Sequence, residues 1–331
     1  MTDGVAIEVS GVRKRFGDVQ ALDGVDLQVA AGTVYGLLGP NGAGKTTMVR
    51  ILTTIITPDA GSVRVLGMDV TTETKRVRAS IGLAGQYAAV DEILTGRENL
   101  RLVGQLCHMP TKLVNQRADE LLSLFALEHA ADRSLKTYSG GMRRRLDLAA
   151  SLVHRPPVLF LDEPTTGLDP QSRSDLWDLI RDLVADGTTL LLTTQYLEEA
   201  DVLADRIAVI DRGHVIAEGT ASELKTQMGA TVLEVAFASR PAADVALGTI
   251  RGVLADAEVD GTTVRAAAPD GARSAMEVLR AIDAAGLEPG GLTVREPSLD
   301  DVFLTLTGHR TEEPDGGGPA GSDAANDGGA R

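Results

Sequence analysis

One glycine-rich stretch decides what the centre of this chain can be, because it matches the pattern G-x-x-x-x-G-K-[ST] at every required position. It runs Gly39-Pro40-Asn41-Gly42-Ala43-Gly44-Lys45-Thr46 and is followed by Thr47. The apolar run Val34 to Leu38 predicts a buried strand before it, and Thr46 to Leu52 predicts the start of a helix. Glycine lets the backbone approach an anion with positive φ, and a helix N-terminus directs unpaired N–H groups at the same point. We therefore expect a bound nucleoside triphosphate, with Lys45 at the β- and γ-phosphates and Thr46 at Mg²⁺.

A second signal is an apolar strand that ends in two carboxylates. Residues 158–161 are Val-Leu-Phe-Leu, and Asp162 and Glu163 follow them. We expect both carboxylates at the edge of the sheet beside the phosphate site, since ligands of α/β sheets bind outside the carboxyl ends of the strands. Asp162 is then placed to position Mg²⁺, and Glu163 to orient and deprotonate an attacking water. A further apolar strand over residues 188–194 ends at Gln195. These patterns predict an α/β nucleotide-binding fold.

Between the loop and this strand, residues 95–154 have a helical pattern and predict an all-helical subdomain. Thr95 is a good N-cap, and Glu98 three residues later completes a capping box. Ser139 is placed as the N-cap of a later helix, in which Gly140 and Gly141 expose backbone N–H groups. Taken alone, this last pattern is shared with any serine-capped helix.

Phe16 has two interpretations. It precedes Gly17 among the short strands predicted over residues 5–38. A flat aromatic face there suits an adenine ring, and a core position in a small sheet suits it equally. The residues alone do not choose between the two.

Composition limits the partners. The 331 residues suffice for two domains, and the formal net charge of −15 argues against nucleic acid or anionic lipid as a direct partner. We therefore interpret Arg143-Arg144-Arg145 as part of a solvated face. The single cysteine, Cys107, excludes internal disulfides, and we expect it to be a small buried side chain. The N-terminus shows no signal peptide, and no apolar run approaches the roughly 20 residues of a membrane span, so we expect a membrane role only through a partner and without a lipid anchor.

The C-terminal third has a separate pattern. Residues 231–296 predict the order β-α-β-β-α-β, with a hairpin at Asp260-Gly261, which is typical of a small ferredoxin-like α+β domain. We expect its second helix to hold Met276, Leu279 and Ile282 on one face. From His309 onward the composition is Gly-, Asp-, Ala- and Pro-rich and predicts disorder.

These residues together resemble the ATP-binding subunit of an ATP-binding-cassette (ABC) transporter over about residues 5–228. Besides the phosphate loop, the motifs that carry the resemblance are, in chain order, Gln86, Tyr138-Ser139-Gly140-Gly141-Met142, Leu161-Asp162-Glu163-Pro164, Gly167-Leu168-Asp169 and the strand end at Gln195. The implied organisation is an ATP-binding domain over 1–228, an accessory domain over 229–308 and a disordered tail over 309–331.

The resemblance also implies a mechanism. Two copies sandwich two ATP molecules head to tail, and Ser139 to Gly141 of one copy cap the γ-phosphate held by Lys45 of the other. Gln86 contacts Mg²⁺ and the attacking water, and Asp169 lies where the copies meet. Phe16 matches the adenine-stacking aromatic of the family, which favours that interpretation.

Two positions depart from the family pattern. Met142 stands where the signature loop usually has Gln, and a thioether cannot replace an amide hydrogen bond. Gln195 stands where the family usually has His. Glutamine can hydrogen-bond a γ-phosphate or water but carries no proton charge near neutral pH. We expect hydrolysis to survive, because Glu163 is the expected base.

The stretch Thr193 to Asp201 and the C-terminal third narrow the resemblance to the daunorubicin-resistance branch, the ATPase subunits of bacterial drug exporters. The implied function is ATP hydrolysis that powers drug efflux through a separate membrane permease, with this subunit held at the cytoplasmic face of the membrane. Export of a lipid, polysaccharide or haem-type molecule is the alternative. A soluble ABC protein acting on ribosomes or DNA fits the single cassette and negative charge less well, and intact Lys45, Asp162 and Glu163 argue against a non-hydrolysing regulatory binder.

The segment Glu296 to Leu304 predicts a short capped helix. It resembles the acidic C-terminal motif of the drug-resistance ATPases, which is implicated in assembly with the permease and in regulation. The other interpretation is a helix that caps its own domain.

Overall fold

A computed structural model describes residues 4–85, 90–227 and 231–307. The predictions for Gln86 and for the tail over 309–331 lie outside the described residues. The described residues form three sheets. Two of them belong to the first two thirds of the chain, and the third belongs to the C-terminal part.

The first sheet is antiparallel and has the order β2-β1-β4-β5. Its strands are β1 (Val5–Phe16), β2 (Val19–Ala30), β4 (Ala60–Val65) and β5 (Met68–Asp69). Alternating apolar side chains of β1 and β2 face one core together with residues of α1 (Lys45–Leu52). The sheet therefore covers one face of the phosphate loop and its helix.

The central sheet has the order β10-β9-β3-β8-β7-β6. Its strands are β3 (Val34–Leu38), β6 (Ile81–Ala84), β7 (Val158–Asp162), β8 (Thr189–Thr194), β9 (Arg206–Asp211) and β10 (His214–Gly219). All neighbours are parallel except β9 and β10. Every residue of β3, β7 and β8 is buried, which explains their continuous apolar runs. Because β3, β7 and β8 are parallel, their carboxyl ends meet at one edge.

Helices cover both faces of this sheet. After α2 (Thr74–Ala79), the helical layer contains α3 (Gly96–Leu106), α4 (Thr111–Leu124) and α5 (Gly140–Ser151). The capping box of α3 is confirmed: Glu98 N donates to Thr95 Oγ1 at 3.2 Å, and Thr95 N donates to Glu98 Oε2 at 2.8 Å. The remaining helices of this part are α6 (Pro170–Ala185), α7 (Leu197–Leu203) and α8 (Ala221–Gln227).

The C-terminal part has the predicted order of elements. It contains β11 (Thr231–Ala236), α9 (Arg240–Arg251), β12 (Glu258–Asp260), β13 (Thr263–Ala268), α10 (Ala272–Ala284) and β14 (Gly291–Arg295). The strands form an antiparallel sheet ordered β12-β13-β11-β14. The turn after Asp260 places Gly261 at φ +59°, as a tight hairpin requires. Its description as ferredoxin-like stays a prediction.

The predicted apolar face of α10 is buried only at Ile282, and the prediction that Cys107 is buried was wrong. On α10 the residues that enter the core are Ala275, Val278 and Ile282, whereas Met276 is 52% exposed and Leu279 is 39% exposed. The buried side of α10 therefore carries the smaller Ala275 and Val278 together with Ile282. Cys107, expected to be buried, is exposed just beyond the end of α3.

The last helix, α11 (Leu299–Thr307), packs on the first part of the chain. Asp301 N donates to Ser298 Oγ at 3.3 Å and Ser298 N donates to Asp301 Oδ2 at 2.7 Å, so the predicted cap is confirmed. Its apolar side chains, Leu299, Val302 and Phe303, form one cluster with residues of β3, α7 and α8. The interpretation that this helix caps its own domain was therefore wrong. Nowhere in the described ranges does a helix have both the length and the apolar character to cross a bilayer.

Candidate active site

The loop over residues 39–46 follows β3 directly and leads into α1. Gly44 caps the helix at φ +114°, and a Cβ there would lie 2.6 Å from the carbonyl oxygen of Ala21. A Cβ at Gly39 would lie 2.3 Å from the carbonyl oxygen of Ile210. Both distances exclude any side chain. The glycines therefore allow the loop to pack against its neighbours while its other side faces a cavity of about 210 Å³.

Lys45 is buried at the floor of this cavity. Its side chain is 4% exposed, and Nζ donates to the carbonyl oxygens of Gly39 at 2.7 Å and Pro40 at 3.1 Å. The carboxylate of Glu163 lies 3.7 Å from the same nitrogen. Burial lowers the pKa of Lys45, and the charges of Glu163 and Asp162 oppose that change. An ammonium held this way is positioned to interact with an anion entering the cavity.

Asp162 ends β7 and brings three side chains together. Its Oδ1 accepts hydrogen bonds from Thr193 Oγ1 at 2.5 Å and, more weakly, from Thr46 Oγ1 at 3.4 Å. The two residues predicted as metal ligands within the described ranges, Thr46 and Asp162, are therefore in contact. Hydroxyl and carboxylate oxygens are ligands that Mg²⁺ prefers, so this donor set fits the ion. Thr193 was missed by the sequence analysis; its position one residue before the end of β8 was the available signal.

Glu163 has a strained backbone. Its φ is +52°, a left-handed conformation that is uncommon for a residue other than glycine. The amide N–H of Glu163 donates to the carbonyl oxygen of Thr193 at 3.1 Å. Backbone strain of this kind is found mainly at functional sites, where it fixes the direction of a side chain. Here it accompanies a carboxylate that lines the phosphate-loop cavity beside Lys45.

Ser139, Gly140 and Gly141 lie at the start of α5 and do not line the phosphate-loop cavity. Ser139 Oγ accepts from Met142 N at 3.2 Å, so the predicted N-cap is confirmed. A Cβ placed on Gly140 would have nothing within 4 Å, and the atom nearest to a Cβ on Gly141 would be 3.6 Å away. Neither glycine has positive φ. The conformation of this chain alone therefore does not require glycine at either position.

The remaining predicted residues do not line the phosphate-loop cavity. Phe16 is 47% exposed at the end of β1, with the ammonium of Lys14 5.5 Å from its ring centre, so the core interpretation was wrong. Asp169 is the N-cap of α6 and accepts from Ser172 N at 3.0 Å. Gln195 is half-buried immediately after β8.

Two further charged groups were missed by the sequence analysis. Glu199 on α7 is fully buried, and burial raises its pKa to about 7, opposed by Thr194, Trp177, Thr165 and the charge of Arg173. Arg144 on α5 does not belong to a solvated face as predicted. Its side chain is 16% exposed and bonds the backbone around Glu163. Both residues interact mainly with residues distant in sequence, so no local sequence pattern predicts their positions.

Comparisons with known proteins agree with this geometry. Residues 22–166 match the ABC transporter family, and residues 219–307 match the C-terminal domain of DrrA1-3-like ATP-binding proteins. Daunorubicin resistance ATP-binding protein DrrA3 of Streptomyces coeruleorubidus is 55% identical over 92% of this chain and 96% of its own length. The chain is an ATP-binding subunit of the ABC transporter family. It belongs to the branch that carries the DrrA-like C-terminal domain.

Other members of the ABC family extend the comparison. Doxorubicin resistance ATP-binding protein DrrA of Mycobacterium tuberculosis is 49% identical over 94% of this chain and 96% of its own length. Nod factor export ATP-binding protein I of Rhizobium sp. is 42% identical over 93% of this chain and 99% of its own length. The ATP-binding cassette MJ0796, solved as a dimer in a post-hydrolysis state with ADP and Pi, is 27% identical with a TM-score of 0.60. It covers 65% of this chain and 98% of its own.

Proposed function

We propose that this ABC subunit hydrolyses ATP to power the efflux of a drug through a separate membrane permease, on the cytoplasmic face of the membrane. The observation that carries the proposal is that Lys45, Glu163 and Thr46 line one cavity, with Asp162 in contact with Thr46. A phosphate-binding cation, a general base and two oxygen ligands are the parts that phosphoryl transfer needs.

Each residue has a role in this proposal. The backbone of residues 39–46 and the side chains of Lys45 and Thr47 hold the phosphates, and Phe16 stacks on the adenine ring. Glu163 accepts a proton from the attacking water. Thr46, Asp162 and Gln86 would hold Mg²⁺, which when bound neutralises charge on the β- and γ-phosphates. Gln195 hydrogen-bonds the γ-phosphate or water but cannot take up a proton near neutral pH.

The proposed active unit is a head-to-tail dimer. Gly140 and Gly141 are glycines that their own chain does not need, which suggests that their missing side chains make room for a group from outside. In the dimer Ser139, Gly140 and Gly141 of one copy contact the γ-phosphate bound by the other, and Asp169 lies at the contact. The half-buried side chain of Met142 packs against the core of its own helical layer. We infer that this position adds no hydrogen bond across the interface.

The proposed cargo follows the names of the relatives. Proteins at 49–55% identity are named for daunorubicin or doxorubicin resistance, whereas the Nod factor export protein is 42% identical. A drug is therefore the favoured cargo class. The proposed domains are 1–228 for nucleotide binding and 229–308 as an accessory unit, whose last helix returns to α7 and α8.

Phosphate release by the full chain reconstituted with its permease in liposomes tests this proposal. We expect Mg²⁺-dependent phosphate release that daunorubicin stimulates, and none from Glu163→Gln. If no phosphate is released, the ATPase role is wrong. If release occurs but daunorubicin and other drugs leave it unchanged, the cargo assignment is wrong and a different exported molecule is favoured.

A further inference from the structure

Three consecutive arginines on α5 have different surroundings. Arg143 pairs with Glu92 at 3.1 Å, and Arg145 pairs with Asp175 at 2.7 Å; both arginines are more exposed than Arg144. The side chain of Arg144 instead points to the ends of β6 and β7. The three side chains are chemically identical, so their different exposures and partners reflect the part of the structure that each one faces.

Arg144 donates to backbone carbonyls from two separate loops. Nε donates to Pro164 O at 2.9 Å, and Nη2 donates to Glu163 O at 3.1 Å and Asp162 O at 3.3 Å. Nη1 donates to Gly85 O, the residue before Gln86. A guanidinium can satisfy these acceptors together because its N–H groups form a rigid planar fork. Three successive carbonyls at the end of β7 are thus held by one side chain.

The charge of Arg144 is balanced by its neighbours. Burial lowers the pKa of this guanidinium, and the carboxylates of Asp147, Asp162, Glu199 and Glu163 oppose the change. The carboxylate of Asp147 lies 3.5 Å from Nη1. A buried cation of this kind persists only where it is paired and hydrogen-bonded. The arrangement therefore ties the start of α5 to the acidic end of β7.

We propose that Arg144 is a positioning residue for the ATP hydrolysis proposed above, on which this inference rests. Arg144 holds the carbonyls on both sides of the left-handed Glu163, so the carboxylate stays beside Lys45. It also donates to the carbonyl oxygen of Gly85, so one guanidinium joins the residue after β6 to the backbone at the end of β7.

The test compares Arg144→Met and Arg144→Lys with the matched control Arg145→Met in the full-length chain. Steady-state phosphate release gives kcat and KM, and a fluorescent ATP analogue reports nucleotide binding. We expect Arg144→Met to lower kcat by about tenfold or more, since small misplacement of a catalytic group has effects of this size or greater. Nucleotide binding should stay within about twofold. Arg144→Lys keeps the charge without the fork and should recover part of the lost kcat. Arg145→Met should behave as the parent chain.

A double-mutant cycle with Glu163→Gln separates positioning from general damage. Single-turnover phosphate release is measured for Glu163→Gln alone and combined with Arg144→Met. If Arg144 acts through Glu163, the second substitution should have almost no further effect. An equal loss in both backgrounds overturns the proposal.

The remaining outcomes are also decisive. If Arg144→Met does not fold, as judged by lost nucleotide binding, Arg144→Lys decides: a kcat equal to that of the parent overturns the proposal, and a reduced kcat with intact binding supports it. A parent chain that binds ATP but never releases phosphate overturns the proposed ATPase role and this inference together. A hydrolysing parent with an unaffected Arg144→Met variant overturns the inference alone.

Discussion

The two halves of the proposed ATP site differ in how much of their structure one copy of the chain explains. In the half around residues 39–46, Gly39 and Gly44 cannot accept a side chain because atoms of the same chain lie too close, and Gly42 has a left-handed φ of +81°. Lys45, Asp162 and Glu163 already contact partners within the same chain. In the half around Ser139 to Gly141, a Cβ on Gly140 would have nothing within 4 Å, and a Cβ on Gly141 would make only ordinary contacts, the nearest at 3.6 Å. We call the first the complete half, because one copy supplies its contacts. We call the second the open half, because the proposed dimer places another copy against it.

The largest expected effect falls on the complete half. Glu163→Gln keeps the shape of the side chain but removes the base, so kcat should fall by about 10³-fold. ATP binding should be kept or strengthened, because a negative charge near the phosphates is removed. Phosphate release and equilibrium binding measure the two quantities. Activity close to that of the parent would show that another group is the base.

The open half gives the next largest effect. Gly140→Val adds atoms where this chain has nothing within 4 Å, so folding and nucleotide binding by a single copy should be unchanged. Phosphate release should fall by about 10²-fold, because the γ-phosphate loses contacts made only between copies. Gly248→Val on α9, also in open space, is the matched control and should hydrolyse normally. A fully active Gly140→Val variant would remove the distinction between the halves.

The next prediction concerns the proposed stacking of Phe16 on the adenine ring. Phe16→Ala should raise the Kd for ATP by about tenfold, the loss expected for one base–aromatic stack. The thermal midpoint should hardly change, because the ring is half-exposed. Binding of a triphosphate without a base provides the control, since its affinity should be the same for both chains. An unchanged Kd for ATP would exclude the stacking role.

The smallest expected effect concerns Glu199, which is buried near Thr165 and Trp177. Burial raises the pKa of this carboxyl to about 7, above its ordinary value, so the folded chain binds the proton more tightly than the unfolded chain. That stabilisation is fully present below the ordinary pKa and is lost as the pH rises through about 7. Glu199→Gln cannot titrate, so its melting temperature should fall less than that of the parent between pH 6 and 8. Parallel melting curves of both chains at each pH would contradict this assignment.

The sequence predicts the complete half far better than the rest, for a physical reason. The loop over 39–46 and the pair Asp162-Glu163 are contiguous, and backbone geometry and strand direction place them. Arg144 and Thr193 reach the site only through contacts between distant elements. A run of three arginines looks like a solvated face until α5 is docked. The same applies to Met276 and Leu279, whose exposure depends on which side of α10 meets the sheet.

The C-terminal helix α11 shows the same difference between local and long-range features. Its cap was predicted from local residues, although the helix ends at Thr307 and not at Leu304, but its contacts with α7 and α8 depend on how the two parts of the chain meet. Leu38 is the last residue of β3 and immediately precedes Gly39. One hydrophobic cluster thus includes α11 and the residue before the phosphate loop.

The central claim is that Ser139 to Gly141 of one copy contact the ATP that is bound by residues 39–46 of another copy. Crosslinking between two differently labelled copies tests it most directly. Both copies carry Cys107→Ser and Glu163→Gln; one also carries Val19→Cys beside the phosphate-loop cavity, and the other carries Ser139→Cys. With a short thiol crosslinker, the account predicts a covalent dimer that joins the two different copies and forms only with ATP and Mg²⁺. The absence of that product, with ATP binding shown to be intact, would contradict the account.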